Sequence, residues 1–196
     1  MDKSRLSGSL EFLREAERLK DVLRSAHTSS GRMESTAEHT WRLCLMAMVF
    51  EPELSDVDFT KLLKIAVIHD LGEALNGDIP APQAGARSKS IQERQDLEAL
   101  MAPLAADQRN SFLALWDEYD QASSPEARLV KGLDKLETIL QHTQGQNPAD
   151  FDYAFNLAYG RNYTEGVPLL AAIRKELDEK TRQLHEAGQQ AAARNP

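Results

Sequence analysis

A single cysteine, Cys44, stands in 196 residues. That excludes an internal disulfide and fits a reducing compartment. Runs of Lys or Arg are missing too, and the net charge is −8. Duplex nucleic acid is held by clustered basic side chains, so this partner class is set aside. No apolar stretch approaches the roughly 20 residues that cross a bilayer. The opening stretch MDKSRLSGSLEFLREAERLK has an early acidic residue and no apolar core of a signal peptide. A protein without a membrane segment, working in the cytoplasm, is expected. Sustained strand alternation, internal repeats and low-complexity blocks are also lacking. One further absence matters later: no histidine occurs between residues 71 and 133.

What is present reads as helix almost throughout. The length suits one domain over 1–196, with a core from about 10 to 187 and a frayed tail. Leu10, Leu13, Ala16, Leu19, Val22 and Leu23 recur at helical spacing. Ser35-x-x-Glu38 is a capping box ahead of an apolar run, so a helix is predicted from about Thr36, with His39 at the end of its first turn. A third helix is predicted from Ser55 or Asp56 to the stop at Asn76-Gly77. Pro80 and Pro82 interrupt the next stretch. Helices follow over about 87–102 and 107–119. Ser124-Pro125 places a cap and a first-turn proline before EARLVKGLDKLETILQH. A short helix at 149–159, a loop at GRNYTEG and a last helix over 168–187 complete an all-α bundle.

The chemistry concentrates at HDLGEALNGD, residues 69–78. On a helix, His69 and Glu73 (i, i+4) and Asp70 and Glu73 (i, i+3) share a face. An apolar helix that runs straight into His-Asp must compensate a buried carboxylate, and a metal ion is one common solution. The dipeptide takes its meaning from its context. His39 lies on an upstream helix. Asp134 lies downstream on an apolar face with no obvious structural use for a carboxylate. His39, His69, Asp70 and Asp134 make a mixed N/O set that suits Mn, Fe, Co, Ni or Zn better than Mg. Four protein ligands leave room for a water and a phosphate oxygen. Trp41, Trp116, Phe112 and Tyr119 read as core or dimer contacts, Glu38 and Glu137 as capping, supporting or surface groups, and His142 and His185 as structural. Arg32 and the loop residue Arg161 receive no role.

AEH with a helix behind it, HDLGEALNGDIP and KGLDKLE together resemble the metal-dependent phosphohydrolases of the HD-domain superfamily. The nearer resemblance is to the branch containing bacterial 5'-deoxynucleotidases, from about residue 10 to residue 145. It implies an HD-domain helical bundle, one divalent metal held by His39, His69, Asp70 and Asp134, and a homodimer. Glu73 matches the glutamate that handles the catalytic water, and Asp78 the acid of the following Gly-Asp, which would assist the departing 5'-oxygen. Arg24 matches an arginine that contacts the substrate phosphate. The tryptophan that accompanies it in the family is replaced here, with His27 nearest its place. The implied activity is removal of the 5'-phosphate of (deoxy)ribonucleoside 5'-monophosphates. Hydrolysis of another small phosphoester and a catalytically idle ligand-binding protein are the alternatives. Two-iron oxygenases and two-metal phosphodiesterases of this fold need extra histidines after the His-Asp pair, and residues 71–133 supply none.

Overall fold

The computed structural model describes residues 2–77 and 86–194. Helix α1 spans Lys3–Ala16, with the Asp2 side chain accepting the Arg5 N–H at 2.9 Å. A tight turn at Glu17–Lys20 ends it. Only Phe12 and Leu19 of this stretch are fully buried; Leu10 and Leu13 of the apolar stripe stay exposed.

The chain then departs from the all-helical expectation. Strands β1 (Leu23–His27) and β2 (Met33–Ser35) pair antiparallel, and Gly31 takes φ 84° in the connecting turn. The inward positions of β1 are Arg24 and Ala26 rather than large apolar residues, so no alternation showed in the sequence. β2 feeds directly into α2 (Thr36–Val49) through the Ser35 cap. Both reciprocal bonds of the capping box form, Glu38 N to Ser35 Oγ at 3.3 Å and Ser35 N to Glu38 Oε2 at 2.9 Å. Thr36, His39, Leu43, Met46 and Ala47 share its buried face.

Helix α3 (Phe59–Ile68) is shorter than predicted at both ends. Its cap is Asp58, which bonds Lys61 N at 3.0 Å, and not Ser55 or Asp56. After Ile68 the backbone tightens into i→i−3 bonds, Leu71 N to Ile68 O and Glu73 N to Asp70 O, before a single turn of helix α4 (Glu73–Asn76). Gly77, with φ 84°, closes it as expected. Within the intervening turn Gly72 is pressed onto α5 (Ala86–Leu100). A Cβ there would sit 2.4 Å from the Glu93 carbonyl oxygen.

Helices α6 (Ala106–Gln121) and α7 (Pro125–Gln144) agree with the sequence reading, and Ser124 caps α7 as predicted. Short helices α8 (Ala154–Ala158) and α9 (Arg161–Thr164) occupy the segment read as one short helix and a loop. The last helix, α10, runs Pro168–Arg194, beyond the predicted end at 187, so the tail read as frayed is helical to Arg194. No helix among the described residues is long and apolar enough to cross a membrane.

Helix α7 lies at the centre, buried on several faces against α2, α3, α6, α9 and α10. Its Val130, Leu133, Leu136 and Ile139 join Leu43, Leu62 and Ile65 in one apolar cluster. A second cluster gathers Phe12, Ile68, Leu71, Leu97, Met101 and Trp116. Ile65 and Ala66 belong to the first and Ile68 and Leu71 to the second, so His69-Asp70 falls on the seam between them.

Candidate metal centre and substrate cavity

Three elements deliver the four residues of the predicted ligand set to that seam. His39 comes from the first turn of α2, His69 and Asp70 from the tight turn after α3, and Asp134 from mid-α7. His69 Nε2 lies 3.0 Å from Asp70 Oδ2, and His39 Nε2 lies 3.2 Å from Asp134 Oδ1 and 3.8 Å from Asp70 Oδ2. The ligating atoms of His39, His69 and Asp70 lie within 4.8 Å of one another.

Both Nε2 atoms are buried and make no hydrogen bond. The other ring nitrogens explain why. His69 Nδ1 lies 2.8 Å from the Ala66 carbonyl, which can only accept, so Nδ1 carries the proton and Nε2 the lone pair. His39 Nδ1 donates to Glu137, which Arg42 Nε holds from the other side at 2.6 Å. Two unbonded Nε2 atoms facing two carboxylates make a set that a divalent cation fits, displacing the proton of His39.

The charge balance points the same way. Burial opposes ionisation of Asp70 and Asp134. The neighbouring histidines, and for Asp134 the Lys135 ammonium, outweigh it and hold both carboxyls well below the usual range. Burial and Arg24 work against a charged His39, yet Glu137 and Asp134 hold its pKa up at about 9. Burial pushes the Glu34 carboxyl up. A cluster this rich in carboxylates calls for positive charge, from a proton or from a cation.

The seam opens into a cavity of about 660 Å³. Glu73, 4% exposed, lies on its wall at the start of α4, where the Thr36 hydroxyl donates to Oε2 at 3.3 Å. Arg24 reaches in from β1, donates to Thr138 Oγ1 at 3.1 Å and lies 3.6 Å from Asp70 Oδ2. Asp78 and the proline-containing stretch after it lie outside the described residues. His27 is not among the described lining residues; its carbonyl accepts from Gln141 at 2.5 Å. Arg32 lies on the surface and pairs with Glu38.

Several residues that face the cavity carried no role in the sequence reading. Tyr119, read as core or dimer contact, donates its hydroxyl to Asp134 Oδ2 at 2.9 Å, and burial pushes its pKa up, so it stays a donor. Lys135 bonds the same oxygen at 2.8 Å. Lys89, Lys131, Phe155 and Tyr159 line the walls, as does His142, which meets Asn156 Oδ1 at 2.7 Å. Lys131 and Thr138 stand three before and four after Asp134, and Lys135 four after Lys131, a signal open to sequence reading. Tyr119 had none, because its contact arises only when α6 packs on α7. Trp116 is core and donates to the His69 carbonyl at 3.1 Å, whereas Trp41, 65% exposed, is not core.

The HD domain family model matches residues 16–174. The human 5'-deoxynucleotidase HDDC2 is 31% identical over 175 residues, covering 85% of each chain. The Dictyostelium discoideum protein of the same name is 32% identical over 145 residues, 69% of this chain and 76% of that one. The crystal structure of a predicted metal-dependent phosphohydrolase from Magnetospirillum magnetotacticum superposes with a TM-score of 0.75 at 27% identity, covering 93% of this chain and 98% of that one. The family match runs through every segment that builds the seam, from β1 to α7 and beyond, and so the chain belongs to the HD-domain family of metal-dependent phosphohydrolases.

Proposed function

We propose that this chain removes the 5'-phosphate from nucleoside 5'-monophosphates, deoxyribonucleotides foremost, with one divalent ion held by His39, His69, Asp70 and Asp134. The observation that carries this is the pair of orphaned Nε2 atoms facing two carboxylates at the edge of a cavity edged with cationic side chains. Relatives named 5'-deoxynucleotidases, matched over most of their length, supply the substrate class. The N/O donor set favours Mn, Co, Fe, Ni or Zn over Mg.

When bound, such an ion supplies positive charge for the phosphate and lowers the pKa of water beside it. The protein's own groups do the rest. Glu73, steadied by Thr36, receives the proton of the attacking water as its oxygen bonds phosphorus. The bond from phosphorus to the 5'-oxygen breaks, and Asp78 is assigned the proton for that oxygen on resemblance alone. Arg24 orients the phosphate from the β1 side. We read residues 1–196 as one such domain working in the cytoplasm. A homodimer is supported by the apolar face of α2, where Trp41, Leu45, Met48 and Val49 lie exposed at helical spacing. Sedimentation of wild type and Trp41→Glu tests that face; a monomeric wild type removes it.

The activity is tested by phosphate release from a panel of 5'- and 3'-mononucleotides with each metal. Turnover confined to 5'-monophosphates and dependent on an added transition metal is the expected result. Preference for a non-nucleotide phosphoester, or turnover without metal, would refute the reading.

A further inference from the structure

Four cationic side chains line the cavity among the described residues: Arg24, Lys89, Lys131 and Lys135. Three are engaged with carboxylates. Lys135 lies 2.8 Å from Asp134, Arg24 3.6 Å from Asp70, and Lys89 3.6 Å from Glu73. Lys131 makes no ion pair and no hydrogen bond among the described residues. Its ammonium instead sits 4.1 Å above the centroid of the Tyr119 ring and 5.6 Å from that of Tyr163. Tyr119 is the residue whose hydroxyl holds Asp134, so Lys131 stands one ring's width from the ligand cluster. Helix geometry explains the placement: Lys131 precedes Asp134 by three residues and shares its cavity-facing side.

We propose that Lys131 docks the phosphate dianion of the substrate beside the metal ligands, a role that rests on the phosphomonoesterase reading above. An ammonium that has lost much of its water without gaining a direct ion pair is held at a cost, which an incoming dianion removes. Burial first, and then the Lys135 ammonium, depress its pKa by more than the Asp134, Asp120 and Asp70 carboxylates raise it. The aromatic face supplies a partial substitute that an anion can supplement without displacing it. A lysine gives a compact charge with three donors, able to follow a phosphate oxygen as the tetrahedron inverts. The paired cations would first have to give up a carboxylate; Lys131 does not.

The test compares metal-loaded wild type, Lys131→Met and Lys131→Arg. Inorganic phosphate is titrated calorimetrically, kcat and KM are measured with deoxyadenosine 5'-monophosphate, and metal content is determined. Lys131→Met should keep its metal, bind inorganic phosphate roughly tenfold or more weakly, and show the loss mainly in KM. Lys131→Arg should recover most of the phosphate affinity. Should Lys131→Met not fold, Lys131→Gln carries the same comparison. Equal phosphate affinity in wild type and the neutral variant overturns the assignment and leaves the proposed activity standing. A wild type that binds phosphate but cleaves no nucleotide overturns the activity, while the affinity comparison still judges Lys131. No phosphate binding by loaded wild type overturns both.

Discussion

At the scale of single residues, the carboxylates divide into those proposed to hold a cation, Asp70 and Asp134, and those proposed to move a proton, Glu73 and Asp78. Asp70 Oδ2 lies 3.0 Å from His69 Nε2 and 3.8 Å from His39 Nε2, separations that one shared cation could bridge. Glu73 is bonded by Thr36 and stands one turn on. Asp70→Ala should therefore lose the metal while remaining helical. Glu73→Ala should keep it and bind nucleotide, yet turn over ~10²-fold more slowly, the usual scale for a general base. Metal analysis beside kinetics reads both, and loss of metal from Glu73→Ala would make it a fifth ligand. Glu137 acts at one remove: it fixes the His39 ring through Nδ1 and never faces the cavity. Glu137→Gln should weaken metal affinity by about 10- to 100-fold with kcat at saturating metal nearly kept. A competition titration with a chromogenic chelator measures it, and unchanged affinity would remove Glu137 from the site.

Elements decide whether those residues meet. The turn between α3 and α4 carries His69 and Asp70 and rests on α5 at Gly72, where a side chain has no room. Gly72→Val should lift the turn from α5, cost about 1–3 kcal/mol by overpacking, and weaken metal binding in step. Denaturant melts with and without metal test this; a variant of normal stability and affinity would show that α5 yields. Much at this scale was legible in the sequence. The Ser35-x-x-Glu38 box placed His39, and Ser124-Pro125 set the register of α7, because caps are local chemistry. The β-hairpin was hidden because its inward residues are Arg24 and Ala26. The predicted third helix was drawn too long because Ser55, Asp56 and Asp58 are all competent caps, and because the i→i−3 turn keeps helical spacing. Tyr119 went unassigned for another reason: contact between α6 and α7 is a tertiary fact, whereas Lys131 stands in helical register with Asp134.

For the whole molecule, the seam matters more than either cluster. His69 and Asp70 lie between two apolar clusters, and His39 and Asp134 face them across it. A cation bound there ties α2, α3 and α7 together and is absent from the unfolded chain. At a hundred times its dissociation constant it adds about 2.7 kcal/mol, which raises Tm by roughly 5–10 °C for a chain of this size. Calorimetry before and after chelation should show that drop and its reversal on adding metal back. An unchanged Tm would mean the four residues hold no ion.

Central burial of α7 makes that helix a ruler. Lys131, Asp134, Lys135, Glu137 and Thr138 are all read off one rigid rod gripped by its neighbours. Each added or deleted residue turns everything beyond it by about 100°. A single-codon insertion between Pro125 and Lys131 would thus either rotate every one of these groups out of place together or force the α7 start to bulge. The same insertion near the end of α10, remote from the cavity, would be absorbed. Lineages of this chain can drift in the length of their last helix, then, but the spacing along α7 works as a reading frame for the chemistry.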